Sequence, residues 1–126
     1  MRARTILISA AIVATTGSFA FGAEMPAMVK MTNGMLTDAH GMTLYVFDND
    51  KEANKSACNG MCAVNWPVLK AEASDHDMGA FKVITRDDGS KQWAYKGKPL
   101  YYFRMDAKAG DTAGDGRGMV WHIAKP

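Results

Sequence analysis

Apolar and polar positions alternate along much of the chain in short runs broken by glycine and aspartate, and a period of two belongs to β-strands. Met28 to Thr32 reads as a strand, Asn33-Gly34 as a two-residue turn and Met35 to Thr37 as the returning strand, because Asn-Gly accepts the positive φ such hairpins require. Asp38 to Gly41 turns the chain into Met42 to Phe47. The plan then recurs: Phe81 to Thr85 is strand, Arg86 to Ser90 turn, Lys91 to Tyr95 strand, Lys96 to Lys98 turn and Pro99 to Phe103 strand. Two three-stranded meanders are expected, each followed by an irregular linker and a tryptophan segment, Trp66 to Leu69 and Met119 to Ile123. The linker around Ala57 to Val64 accommodates one short helix at most, near the cysteine pair, whereas Asp106 to Gly118 is a glycine-rich loop.

The recurrence is explicit in the residues. Gly41-Met-Thr-Leu-Tyr45-Val-Phe47-Asp-Asn-Asp50 matches Gly97-Lys-Pro-Leu-Tyr101-Tyr-Phe103-Arg-Met-Asp106 at Gly, Leu, Tyr, Phe and Asp. A repeat is usually one supersecondary unit that needs its neighbour to bury its apolar face. Two units of about four short antiparallel strands are too few for a propeller, so the predicted fold is mainly β, a sandwich or barrel-like pair in one small domain. That domain runs over 24–126, with pseudo-repeats at about 28–70 and 81–124.

The N-terminus changes the picture of where the protein works. Arg2 and Arg4 precede an uncharged stretch from Thr5 to Phe21, followed by the small residues Gly22 and Ala23, the layout of a cleaved export signal over 1–23. The stretch is too short and too rich in Ala, Ser and Thr for a membrane span. No cysteine follows the cleavage region to carry a lipid anchor, so the mature chain is expected in the periplasm or the medium. The 15 basic residues of the full chain fall to 13 without Arg2 and Arg4, level with the 13 acids, and a neutral chain implies no nucleic-acid partner.

Candidate chemistry lies in few places. Alternation sets Tyr45 and Phe47 on one face of their strand with Leu44 and Val46 on the other, and likewise Tyr101 and Phe103 against Leu100 and Tyr102. The aromatic face reads either as a platform for a flat ligand or as a paired core, and the weight of aromatics in small-domain burial favours the core. Asp50 and Asp106 fall where each strand should end, a position for a carboxylate that bonds its own turn backbone. Cys58 and Cys62 have neither redox-dithiol nor haem-attachment spacing, so in an oxidising compartment they read as a local disulfide contributing roughly 2 kcal/mol. A thiol-disulfide redox protein working through this pair is an alternative.

Methionines cluster at Met25, Met28, Met31 and Met35, and His40, His76 and His122 add imidazoles, so a copper or haem-type binder using Met119 and His122 is another alternative. No hydrolase, zinc-protease, phosphate-loop or dinucleotide motif is present.

The segments Tyr45-x-Phe47-x-x-Asp50 and Tyr101-x-Phe103-x-x-Asp106, with Cys58-x-x-x-Cys62-Ala-x-x-Trp66-Pro67 and the closing Val120-Trp121-His122, resemble a bacterial family of secreted or lipid-anchored proteins described as a secreted repeat of unknown function. The resemblance spans about residues 34 to 123 and implies an exported two-repeat module, with no activity, cofactor or catalytic residue to carry over. Many members are lipoproteins, and this sequence departs from them in lacking the acylated cysteine. The expectation is therefore an exported envelope protein, a non-catalytic binding or structural module without a cofactor and with an unknown partner.

Overall fold

A computed structural model describes residues 24–126, and the export signal expected over 1–23 lies outside the described residues. Seven short strands and one short helix follow in the order β1 Val29–Thr32, β2 Met35–Asp38, β3 Tyr45–Phe47, α1 Met61–Asn65, β4 Phe81–Thr85, β5 Lys91–Tyr95, β6 Lys98–Pro99 and β7 Trp121–Ile123. The molecule is mainly β, as the alternation predicts.

Local chemistry sets the two tight hairpins. Thr32 faces Met35 across Asn33 (φ 51°) and Gly34 (φ 76°), and Tyr95 faces Lys98 across Lys96 (φ 48°) and Gly97 (φ 82°). Both central residues at positive φ give the turn whose twist matches the strands it joins. Strand β4 pairs with β5 in the register Phe81↔Tyr95 to Thr85↔Lys91, and the Arg86–Ser90 turn closes with Arg86 N donating to Ser90 O at 2.8 Å.

Of the two expected meanders, the second forms as the three-stranded sheet β4-β5-β6, while the first is regular only over its β1-β2 hairpin and joins its third segment through an isolated bridge. Among the described residues, sheets form as β1-β2, β3-β7 and β4-β5-β6, with no closed barrel. Beyond its hairpin, β2 reaches the next segment only through the Thr37–Thr43 bridge, two flanking backbone bonds included: Asp38 N to Met42 O (2.8 Å) and Leu44 N to Leu36 O (3.0 Å). Instead, Tyr45 and Tyr101 exchange both backbone hydrogen bonds, at 2.8 and 3.0 Å, across the junction of the repeats. Each tryptophan segment then lies along the tyrosine strand of the other repeat. Strand β7 pairs with β3 from Tyr45↔Ile123 to Phe47↔Trp121, while Val68 bridges Tyr101. Ala124 N donates to Leu44 O at 2.8 Å and Leu69 N to Leu100 O at 2.9 Å, the same bond made twice.

The physical reason is the apolar character of both faces of the tyrosine segments. A strand buried on both faces needs neighbours on both edges, and a short meander offers one. The second repeat supplies the other. Pro99 to Phe103, expected as one strand, is regular only at its first residue, the end of β6, and Trp66 to Leu69 is held by the single Val68–Tyr101 bridge and its flanking backbone bonds.

Two cores result, one per face of the tyrosine segments. Leu44 and Leu100 join Leu36, Leu69, Phe81 and Trp93. Tyr45 and Tyr101 join Trp66, Phe103, Trp121 and Cys58. Each fully buried leucine contributes about 2 kcal/mol of transfer free energy. Among the described residues no helix is long and apolar enough to cross a membrane.

Candidate functional site

The Tyr-x-Phe-x-x-Asp motif closes on itself across the repeats. Tyr45 Oη donates to Asp106 Oδ2 at 2.7 Å, and Tyr101 Oη donates to Asp50 Oδ2 at 2.6 Å. The other oxygen of each carboxylate accepts an amide seven residues onward: Ala57 N to Asp50 Oδ1 at 2.6 Å and Ala113 N to Asp106 Oδ1 at 2.9 Å. The aspartates therefore tie the partner repeat to their own downstream linker, rather than bonding the turn in which they sit. We term each Tyr–Asp pair a clasp. A hydrogen bond to an ionised carboxylate contributes about 1.5–3 kcal/mol where both groups are buried.

The electrostatics follow from that burial. Removal from water, then the hydrogen bond to Asp106, pushes the Tyr45 hydroxyl well above the usual tyrosine range. Burial and the bond to Asp50 do the same to Tyr101, and burial and Asp38 to Tyr102, whose Oη donates to Asp38 Oδ2 at 2.9 Å. Desolvation raises the Asp50 carboxyl, against the opposing pull of Tyr101, the Ala57 amide and the Arg86 charge. Held as neutral phenols at physiological pH, both clasp tyrosines are fixed donors, poorly suited to surrender a proton.

The remaining motif aromatics form a continuous stack. Phe47 lies on Trp121 with ring centres 4.1 Å apart and planes within 11°, Trp121 on Trp66 at 3.8 Å and 4°, and Trp66 on Phe103 at 4.4 Å and 33°. The order is symmetric about the Trp66–Trp121 contact, because each repeat contributes one phenylalanine and one tryptophan. Tyr45 and Tyr101 meet the tryptophans edge-on, Tyr45 on Trp66 at 5.5 Å and Tyr101 on Trp121 at 5.1 Å. Trp66, Trp121 and Phe103 are buried and Phe47 is half-buried.

Cys58 and Cys62 are joined as a disulfide at the start of α1, and Arg86 secures it. This buried guanidinium donates to Ser56 Oγ (2.8 Å), Gln92 Oε1 (2.8 Å), Cys58 O (2.6 Å) and Asn59 Oδ1 (3.3 Å). Ser56 Oγ in turn lies 2.7 Å from Tyr101 Oη. Arg86 and Ser56 carry no linear signal for this role, since Arg86 reads as an ordinary turn residue.

Met119 is 86% exposed, and His122 Nε2 meets Asp48 Oδ2 at 2.7 Å. Among the described residues no group of three or more His, Cys, Asp and Glu side chains is placed to hold a metal ion.

Comparison with known proteins agrees with the duplicated geometry. The family described as a secreted repeat of unknown function matches the chain twice, over residues 27–70 and 82–125. The chain belongs to this family. Its two family repeats are thus the two halves that exchange tyrosine and tryptophan segments. No curated protein and no solved structure matches the chain.

Proposed function

We propose that this family member is an exported, non-catalytic envelope module, working in the periplasm or the medium, in which the repeated motif is a structural clasp and recognition is left to the surface around the aromatic stack. One observation carries the reading: the polar atoms of the motif are spent on each other. Both tyrosine hydroxyls and all four aspartate oxygens have protein partners, and the hydroxyls are held protonated by burial. A general acid or base needs a free direction toward a substrate, and these groups are turned on one another, while burial moves the two tyrosine hydroxyls further from neutrality.

Tyr45→Phe and Tyr101→Phe test it. Each is expected to lower unfolding free energy in denaturant titration by about 1.5–3 kcal/mol, the range for a hydrogen bond to a charged group. A variant as stable as the parent that loses a substrate turnover seen in the parent would overturn the reading.

A further inference from the structure

The aromatic stack has two ends built from equivalent positions, and they differ in charge. Asp48 N donates to Val120 O at 2.8 Å and Arg104 N to Asn65 O at 2.9 Å, so Arg104 takes in the second repeat the place Asp48 takes in the first. Counted back from the stacked tryptophans Trp66 and Trp121, Arg117 takes the place of Cys62. One end of the stack thus carries a carboxylate and a half-cystine, the other two guanidiniums.

At that second end the Arg117 guanidinium lies over the Phe103 ring, 5.0 Å from its centre, and its Nε donates to Ala113 O at 3.1 Å. A cleft of about 410 Å³ opens beside it, bordered by Trp66, Phe103, Trp121, Met105, Arg104 and Arg117. No acidic residue borders it, and neither arginine lies within ion-pair distance of a carboxylate among the described residues. Both arginines and Met105 are exposed. The volume falls within the ordinary range for small-molecule sites.

We propose that this cleft binds a planar organic anion, an aromatic carboxylate whose carboxylate is held by Arg104 and Arg117 and whose flat body lies along the exposed Met105 side chain and the edges of the stacked rings, whose faces are already covered. The proposal deepens the non-catalytic reading and rests on it. Guanidinium is the cation of choice here because its planar fork matches a carboxylate with two parallel hydrogen bonds and stacks on aromatic faces. Aromatic and methionine surface supplies the non-directional part of the affinity. Two unpaired guanidiniums on one such wall supply the selectivity for negative charge.

Isothermal titration of the mature, disulfide-intact protein with 2-naphthoate tests the site, with 2-naphthylmethanol and acetate as the neutral and non-aromatic comparisons. Saturable one-to-one binding of 2-naphthoate is expected, at least about tenfold tighter than either comparison. The double change Arg104→Gln with Arg117→Gln should weaken it at least tenfold. Met105→Glu, which places an acid in the cleft at an exposed position, should weaken it in the same direction and guards against a fold defect in the double variant. Absence of saturable binding, equal binding of the neutral alcohol, or unchanged affinity in both variants would overturn the proposal. Conversion of bound naphthoate to a product would leave the site standing and overturn the non-catalytic reading instead, so the two fail separately.

Discussion

The two clasps are the same device in two settings. At the Tyr45–Asp106 clasp, Gly114 N donates directly to Tyr45 Oη at 3.2 Å. At the Tyr101–Asp50 clasp the equivalent residue is Cys58, and its amide donates to Ser56 Oγ at 3.3 Å, which then meets Tyr101 Oη. One hydroxyl is thus inserted between linker and clasp, and with it come the buried Arg86, Gln92 and the disulfide. The first setting is closed by packing, the second by a polar network. The repeated motif therefore fixes the hydrogen bond between repeats, while the linkers decide how water is kept from it: by an aromatic ring against a glycine, or by a guanidinium spread over four acceptors.

The largest effect is expected from breaking the polar side alone. Arg86→Met removes the donor to Ser56, Gln92 and Cys58 O while keeping much of the side chain's bulk, and three buried acceptors lose a partner. A loss of about 3 kcal/mol in denaturant unfolding is expected, at 1–3 kcal/mol for each unsatisfied group with partial relaxation. Native-state hydrogen exchange should accelerate at Ala57 before Ala113. Equal acceleration at both would show that the two settings are not independent.

Breaking the packed side should cost somewhat less. A Cβ on Gly114 would sit 2.8 and 2.9 Å from Trp66 ring carbons and 3.0 Å from Phe103 Cβ, in a ring system locked on both faces. Gly114→Ala should destabilise by about 2 kcal/mol, the cost of overpacking a filled core. The readout is the same denaturant titration, and a neutral Gly114→Ala would mean that the tryptophan stack shifts freely.

Alkaline pH sharpens the comparison without a cavity. The folded-state pKa of Tyr45 and of Tyr101 is raised above the ordinary value near 10, so the stability these groups contribute is complete below that value and is lost as pH rises past it. Each tyrosine should remove about 1.4 kcal/mol per pH unit above ~10. Tyr45→Phe and Tyr101→Phe should each flatten the pH dependence by one such share, and an unaltered slope in either variant would place that hydroxyl outside the clasp.

Much of the local structure was legible in the sequence. Asn33-Gly34 announces a two-residue hairpin because few residues accept φ near 50–80°, whereas the turn expected over Lys96 to Lys98 closes one residue sooner, at Lys96-Gly97, with Lys98 already paired to Tyr95. Alternation assigned Leu44 and Tyr45 to opposite faces, and those faces now meet two different cores. Pairing across the repeats was not legible, for a specific reason: both repeats carry the same tyrosine and the same aspartate, so the motif fits a bond from Tyr45 to Asp50 as well as it fits Tyr45 to Asp106. The second meander is as the alternation predicts, and it is the exchange between the repeats that this degeneracy hides. Arg86 was hidden differently, since a cation beside Asp87 and Asp88 in a turn looks solvated, and only the long-range approach of Ser56, Cys58 and Gln92 buries it. The guanidinium cleft was hidden likewise, because Arg104 and Arg117 lie in different segments and converge only through the cross-repeat bonds.

Double-mutant cycles test the crossed clasp most directly. Tyr45→Phe with Asp106→Asn, and Tyr101→Phe with Asp50→Asn, should each show coupling of about 1 kcal/mol or more in unfolding free energy, whereas Tyr45→Phe with Asp50→Asn should be additive within about 0.5 kcal/mol. Coupling within a repeat and additivity across repeats would contradict the interlocked fold.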